Sequence, residues 1–232
     1  IRNGIDVSVW DPARDPHLAA PYSALDRSGR AECRRTVRER AGWPDDTTAT
    51  IAMVTRLVDQ KGIDLALSAA RFLELMPARL AVLGSGSADL AAGLRYWADR
   101  TPDHVFFVDG YDEALAHRLF AGSDLFLMPS RFEPCGLAQM QAMAYGSLPV
   151  VTDVGGLHDT VTDADRHRSA GTGFVSGSVD DGGVVDALHR GVRAARNTRR
   201  RDAIRRRGMS QDWSWATPAA QHLELYGDLL DS

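Results

Sequence analysis

From residue 50 onward, short apolar and β-branched runs alternate with segments of helical periodicity, and this alternation constrains the fold more than any other feature. The runs lie at 50–57, 79–84, 104–110, 124–130, 148–154 and, more weakly, 173–176. They are typical of strands buried on both faces of a sheet. Helical patterns lie between them, with Ile63, Ala66, Leu67, Ala70 and Leu73 on one face and further helices at 112–121, 137–145 and 184–195. The sequence therefore predicts an α/β fold with a doubly wound, mostly parallel, Rossmann-like sheet.

The chain divides into three predicted parts. Residues 1–48 lack strand periodicity and carry one predicted helix near 28–41, so we interpret them as an arm or interdomain connection. Residues 49–210 form the predicted Rossmann-like domain. Residues 211–232 form a tail with a helix at about 218–230, preceded by Trp213 and Trp215. A chain of 232 residues can bury one substantial core.

Composition argues against several partners. A net charge of −4 gives no reason to expect a nucleic acid or an anionic membrane surface as partner. No apolar run approaches the roughly 20 residues that cross a bilayer, and the first residues lack a signal pattern, so we expect a cytoplasmic protein. Two distant cysteines and seven histidines without metal-ligand spacing predict neither a disulfide framework nor a metal site. The first residue is Ile1, in what reads as a loop, which suggests a fragment.

The loops after the predicted strands are the expected location of a binding site, because ligands of such sheets lie outside the carboxyl ends of the strands. The first of these loops carries Arg56 and Lys61, five residues apart. Two cations at a strand end could converge on a diphosphate and stabilise it as a leaving group. The alternative is that both side chains are simply solvated.

A second loop, residues 130–137, begins at Ser130 and runs into a predicted helix. Pro134 suits a first helical turn, and Gly136 would let the backbone approach a ligand, with helix N–H groups facing an anion. Glu133 either caps that helix or accepts hydrogen bonds from sugar hydroxyls. Cys135 has no histidine within the motif, which favours a packing or ligand-contact thiol over a nucleophile.

Three further loops give weaker signals. Gly84 belongs to a Gly-Ser-Gly that is either a phosphate loop or a turn. Tyr111 could lay its ring against a nucleobase or, equally, cap the core as a half-buried aromatic residue. Gly155 and Gly156 either allow close approach to a ligand or turn the chain. The nine arginines of 190–207 are interpreted as a solvated helical face, because no aromatic residues are interleaved with them.

Taken together, these loops resemble the bacterial glycogen synthase and plant starch synthase family of glycosyltransferases. The matching stretches are Asn-Gly-Ile-Asp at 3–6 with Trp10, Arg-Leu at 56–57 with Gln-Lys-Gly at 60–62, 110–117, Pro-Ser-Arg-Phe-Glu-Pro-Cys-Gly-Leu at 129–137, Gly-Gly-Leu-His-Asp-Thr-Val at 155–161 and Asp-Trp-Ser-Trp at 212–215. Their order and spacing agree over nearly the whole chain. The stretch at 130–137 is the most specific of them.

The resemblance implies one half of a GT-B enzyme, whose two Rossmann-like domains face each other. This chain matches the C-terminal half, which binds the donor, ADP-glucose; an α-1,4-glucan would be held by an N-terminal domain. It implies that Arg56 and Lys61 hold the ADP phosphates without a metal ion and that Glu133 binds glucose hydroxyls. Cys135, Gly136 and Leu137 would line the sugar and phosphates, and Tyr111 would contact adenine. The implied transfer to the glucan 4-hydroxyl retains the anomeric configuration, and the isolated chain is expected to bind nucleotide without transferring glucose.

Two positions depart from related transferases. Gln141 stands where many enzymes of this fold have a second glutamate, but glycogen synthases often lack that glutamate too, so the resemblance holds. Val154 stands where these synthases usually have threonine, and it resembles instead the broader family of UDP- and GDP-sugar transferases. The alternatives to an ADP-glucose enzyme are therefore a UDP-sugar-dependent transferase with another acceptor and a non-catalytic nucleotide-sugar-binding module.

Overall fold

A computed structural model describes residues 1–230, so residues 231 and 232 of the predicted tail lie outside the described part of the chain. Its centre is a six-stranded sheet in the order β3-β2-β1-β4-β5-β6, in which every neighbouring pair is parallel. The predicted α/β fold with a doubly wound sheet is confirmed. The strands are β1 (Ala49–Leu57), β2 (Ala78–Gly86), β3 (Val105–Asp109), β4 (Leu125–Met128), β5 (Leu148–Val151) and β6 (Phe174–Val175).

Helices connect and flank these strands. They are α1 (Arg30–Arg40), α2 (Ile63–Ala70), α3 (Ala88–Arg100), α4 (Glu113–Gly122), α5 (Ala138–Ala144), α6 (Gly155–Thr160), α7 (Asp181–Arg196), α8 (Thr198–Met209) and α9 (Ala216–Leu230). The sequence pattern did not predict α3 or α6. Helix α3 has Gly93 at its centre, where a Cβ would lie 2.9 Å from the Leu67 side chain, so the missing methyl group lets α3 pack closely on α2.

The sheet separates two apolar clusters. Because side chains alternate along a strand, Ile51 and Met53 of β1 point into one cluster and Ala52 into the other. Leu127 and Phe126 of β4 divide in the same way. The first cluster is covered by α2, α3 and α7, and the second by α1, α4 and α5. Burial on both faces explains why the strands read as continuous apolar runs.

The first 48 residues pack on the second cluster. Tyr22, Cys33 and Trp43 are buried in it, and α1 lies against α4. A buried polar network adds to this contact: Asp15 Oδ2 lies 2.7 Å from His117 Nδ1 and accepts a 2.5 Å hydrogen bond from the Tyr145 hydroxyl. The segment is therefore integrated with the sheet domain at several points.

The N-terminal segment contacts the stretch that precedes α9. The Ile5 N–H donates a 2.7 Å hydrogen bond to the Trp213 carbonyl, and the Trp213 indole donates to the Gly208 carbonyl. Beyond this contact, α9 buries only Pro218, while Leu223, Tyr226 and Leu230 are exposed. Across residues 1–230, none of the helices combines the length and apolar character that crossing a bilayer requires.

The arginine-rich stretch at 190–207, which we interpreted as a solvated face, contains arginines that are buried or paired with carboxylates. Arg205 of α8 is only 6% exposed, and Arg190 of α7 contacts the carboxylates of Asp163 and Asp165 at 2.9 and 3.1 Å. Hydrogen bonds from Arg190 are among the effects that hold the pKa of Asp163 below its ordinary value, against the opposing effect of burial. The interpretation is wrong for these two arginines: Arg190 contacts the acidic loop at Asp163 and Asp165, and Arg205 is buried against the Gly146 carbonyl and Asp124.

Candidate functional site

A cleft opens where the carboxyl ends of β1 and β4 lie side by side. The strand order reverses between these two strands, which is the position where open α/β sheets bind ligands. Six of the predicted site residues line the cleft: Arg56, Lys61, Ser130, Glu133, Gly136 and Leu137. Thr55, Ala138 and the ends of both strands complete its lining.

Lys61 and Glu133 form an ion pair inside the cleft. The Lys61 Nζ donates a 2.5 Å hydrogen bond to Glu133 Oε2, and the two side chains are 17% and 7% exposed. The Ser130 hydroxyl donates to the same oxygen at 3.2 Å. Glu133 Oε1 has no hydrogen-bond partner among residues 1–230, so the carboxylate keeps one oxygen that could accept a bond from a ligand hydroxyl.

Arg56 is the second cation of the cleft. It is the penultimate residue of β1, and its side chain is exposed. Within the described part of the chain, no carboxylate pairs with its guanidinium. An unpaired guanidinium beside the Lys61 ammonium is suited to a diphosphate, because both groups supply charge-assisted hydrogen bonds to anionic oxygens.

A tight backbone contact positions the loop that carries Lys61. Gly62 has a φ of +65°, and a Cβ on it would lie 1.9 Å from the Pro129 carbonyl oxygen. The Gln60 side chain donates to the Phe132 carbonyl at 2.8 Å, and the Arg131 N–H donates to the Gln60 carbonyl at 2.8 Å. These contacts join the loop after β1 to the loop after β4, which brings the two charged residues together.

Arg131 adds a connection on the outside of the cleft. Its guanidinium donates two hydrogen bonds, of 2.7 and 2.6 Å, to the two carboxylate oxygens of Asp64 in α2. These bonds lower the pKa of Asp64. The pair is about half exposed, so its contribution to stability is small.

The two glycines after β5 support the cleft from behind. A Cβ on Gly155 would lie 2.2 Å from the Glu133 carbonyl oxygen, and one on Gly156 would lie 1.9 Å from that of Cys135. The Gly156 N–H donates to the Glu133 carbonyl at 2.8 Å. Helix α6 begins at Gly155, so these glycines let a helix contact the backbone of the Glu133 loop.

Three other predicted site residues lie outside the cleft lining. Gly84 of β2 faces β1, where a Cβ would lie 2.2 Å from the Thr55 carbonyl oxygen. Cys135 is partly buried, with its thiol 3.7 Å from the Gly136 carbonyl oxygen. Tyr111 follows β3 and is 85% exposed, so the alternative of a half-buried core cap is wrong.

Two expectations about the second loop need correction. Helix α5 begins at Ala138, so Pro134 lies before the helix and not in its first turn. Gly136 lies in the turn before the helix and adopts a left-handed backbone conformation, with a φ of +70°. Glu133 does not cap α5, because the N-cap residue is Leu137 and no side chain caps it. The capping role considered for Glu133 is therefore wrong.

Gln139 is a residue of the site that the motifs did not single out. Its amide donates to the carbonyls of Cys135 and Gly136 and, at 3.0 Å, to the Thr160 hydroxyl. It is fully buried, so it holds the loop backbone against α6 from inside the protein. Composition also distinguishes Lys61: the sequence has one lysine and 26 arginines, and that lysine lines the cleft.

Comparison with known proteins identifies the family. The family model described as "Glycosyl transferases group 1" matches residues 35–207. The chain belongs to this family. A glycogen synthase from Halorhodospira halophila is 44% identical over all of this chain and 49% of its own length. One from Alkalilimnicola ehrlichii is 46% identical, over 97% of this chain and 48% of that protein. The resemblance inferred from the sequence motifs is thereby confirmed.

A solved structure agrees with these sequence relatives. The catalytic domain of starch synthase IV from Arabidopsis thaliana, solved bound to ADP and acarbose, superposes with a TM-score of 0.93 at 35% identity. The match covers 99% of this glycosyltransferase chain and 48% of the Arabidopsis chain. The fold is thus that of a GT-B domain. The chain spans about half the length of the relatives it matches.

Proposed function

We propose that this chain binds ADP-glucose and supplies the donor half of a glycogen or starch synthase. The observation that carries the proposal is the Lys61–Glu133 pair, which leaves Glu133 Oε1 without a partner among the described residues and lies in the same cleft as the unpaired Arg56. The cleft therefore contains two cations, Arg56 and Lys61, that can bind a diphosphate, and a carboxylate, Glu133, that can bind a sugar. The ADP in the Arabidopsis starch synthase structure supports adenine nucleotide as the donor's leaving group.

Each residue has a proposed task in the transfer. Arg56 and Lys61 would bind the diphosphate and stabilise the negative charge that grows on it as the bond to the anomeric carbon breaks. Glu133 would hold glucose hydroxyls through its free oxygen, and Tyr111 would contact adenine. The glucan 4-hydroxyl would attack from the face that ADP leaves, so the anomeric configuration is retained. The remaining loop residues, Cys135 and Leu137 with Gly136, would line the sugar and phosphates.

The acceptor α-1,4-glucan would bind residues outside this chain. The relatives of this chain are about twice as long as the chain itself. The exposed apolar residues of α9 fit a tail that returns toward a second domain. We therefore propose that the chain alone binds donor but does not elongate glucan, and that the protein acts in the cytoplasm. Sustained glucan elongation by the purified chain would overturn the first of these proposals.

Calorimetric titration of the chain with ADP, ADP-glucose and UDP-glucose tests the donor assignment. We expect ADP-glucose to bind more tightly than UDP-glucose. Glu133→Gln should weaken ADP-glucose about tenfold relative to ADP, because the glucose hydroxyls are its proposed partners. ADP itself should bind at least as tightly, because Lys61 loses the carboxylate that competes with the phosphates. Arg56→Gln should weaken both ligands. A clear preference for UDP-glucose would refute the ADP assignment, and an equal loss of ADP and ADP-glucose in Glu133→Gln would refute the sugar contact.

A further inference from the structure

The cleft described above, which we now call the donor cleft, lies at the carboxyl ends of β1 and β4. A second charged depression lies at the opposite, amino ends of the same two strands. Two neighbouring pockets share Arg34, Asp124 and Arg201 and together form one groove. Ala49, the first residue of β1, lines it, and Asp124 directly precedes β4. Arg56 lies seven residues further along the same strand, so the groove and the donor cleft are separated by about 23 Å.

Arginine dominates the lining of this groove, which we call the arginine groove. Its six arginines are Arg27, Arg30, Arg34, Arg196, Arg201 and Arg205. Among the described residues, the carboxylates that pair with them are those of Asp124 and Asp202. The whole chain has a net charge of −4, so this local excess of positive charge runs against its overall balance.

Buried guanidinium N–H groups in the groove lack acceptors. Arg205 Nε donates to the Gly146 carbonyl at 2.6 Å, but its Nη2 has no hydrogen-bond partner and lies 3.7 Å from Asp124 Oδ1. Arg34 Nε likewise has no hydrogen-bond partner, and it lies 3.8 Å from Asp124 Oδ2, with which it forms an ion pair. Burial, together with the charge of Arg30, lowers the pKa of Arg205 to about 9. An anion in the groove would compensate the charge of these guanidinium groups, which Asp124 alone does not neutralise.

Helix α8 begins at the groove. Its first residue, Thr198, lines one of the two pockets, and the helix continues for 12 residues to Met209. The Asn197 side chain caps this start by accepting a 3.0 Å hydrogen bond from the Arg200 N–H. Helix α7 ends at Arg196 in the same place, so its negative dipole end offsets the positive end of α8. The positive charge of the groove therefore comes from its arginines, three of which lie on α7 and α8.

We propose that the arginine groove binds the phosphate group of a small molecule. A phosphate has several anionic oxygens that match the paired N–H groups of guanidinium side chains approaching from different directions. The ligand is either inorganic phosphate or a phosphate monoester, which present the same oxygens. The site is separate from the donor cleft, and its existence does not depend on what the cleft binds.

The test is a calorimetric titration of the chain with inorganic phosphate and, separately, with glycerol phosphate, at constant ionic strength set with chloride. The titrations are made in an Arg56→Gln background, so that binding in the donor cleft is weakened. We expect one phosphate to bind, and Arg201→Gln or Arg34→Gln to weaken it about tenfold. Arg199→Gln, an exposed arginine of the same helix outside the groove, is the matched control and should leave the affinity unchanged.

Each outcome has a defined meaning. Tighter binding of glycerol phosphate assigns the groove to a monoester, and equal binding assigns it to the phosphate ion itself; both support the proposal. Equal loss in Arg199→Gln and Arg201→Gln would show nonspecific attraction and overturn it. So would binding that is seen with Arg56 present and disappears in the Arg56→Gln background. Thermal unfolding of each variant shows whether it is folded, and the use of Arg34 and Arg201 gives two independent substitutions.

Discussion

The Lys61 ammonium donates a 2.5 Å hydrogen bond to the Glu133 carboxylate across 72 positions of sequence. The two residues lie on the loops that follow adjacent strands, β1 and β4. Both side chains are largely removed from solvent. Removing either partner would leave a charge with little compensation in a poorly solvated place, so the pair couples the stability of the two loops.

Replacing one partner should therefore cost more than replacing both. We expect Lys61→Met to lower the free energy of unfolding by about 3 kcal/mol, and the double variant Lys61→Met/Glu133→Gln to recover part of that loss. Arg131→Met, which breaks the exposed pair with Asp64, is the control and should cost less than about 1 kcal/mol. Urea denaturation of the wild type, Lys61→Met, Glu133→Gln and the double variant, with Arg131→Met alongside, measures the coupling, and strictly additive losses would contradict it.

The single lysine allows a test that needs no substitution. Lys61 and the N-terminus carry the amines that an amine-reactive acylating reagent can modify, because the chain has one lysine and its 26 arginines do not react. We expect ADP-glucose to slow acylation of Lys61, since its phosphates would cover the ammonium. Mass spectrometry of the peptide containing Lys61 measures the rate, with the N-terminal amine as the internal reference. Equal protection of both amines, or of neither, would argue against a phosphate contact at Lys61.

The sheet could be predicted from the sequence because each strand is buried on both faces and so appears as an apolar run. Helix α3 could not, because Gly93 interrupts its apolar pattern for a reason that lies in another element, the packing of α2. Likewise, α6 begins with two glycines whose small size is explained only by the backbone of the Glu133 loop. Short-range patterns carry no information about such contacts.

The residues of the site could also be predicted from the apolar runs, but their contacts with one another could not. Arg56, Lys61 and Glu133 all lie at strand ends, and strand ends can be located from the apolar runs. That Lys61 meets Glu133 depends on β1 lying beside β4, which no local pattern gives. The arginine groove depends on residues of α1, α7 and α8 that converge from distant parts of the chain, so the arginine-rich stretch alone suggested only a solvated face.

Gly62 and Gly42 offer a matched pair of substitutions. Both have a left-handed φ, of +65° and +72°, but a Cβ on Gly62 would lie 1.9 Å from the Pro129 carbonyl oxygen, whereas nothing lies within 4 Å of one on Gly42. Gly42→Ala should cost about 1 kcal/mol from backbone strain alone. Gly62→Ala should cost clearly more and should also weaken donor binding, because the loop carrying Lys61 must move. Equal unfolding free energies for the two variants would contradict the close contact.

Asp46 should contribute to how the protein responds to acid. Its carboxylate accepts hydrogen bonds from Arg79 at 2.7 and 3.0 Å, and these are the largest cause of a pKa held well below the ordinary 3.8. The folded state therefore takes up this proton less readily than the unfolded state. The stabilisation is complete above the unfolded pKa and is lost as the pH falls below it.

Between about pH 5 and pH 3, the wild-type chain should consequently lose more stability than Asp46→Asn, whose amide does not titrate. Asp45 is the matched control, because its carboxylate is 64% exposed and lies 3.9 Å from Arg38 Nη1. Asp45→Asn should keep the steep acid dependence of the wild type. Urea denaturation at a series of pH values measures these slopes, and parallel curves for Asp46→Asn and the wild type would show that the Arg79–Asp46 pair does not contribute to acid sensitivity.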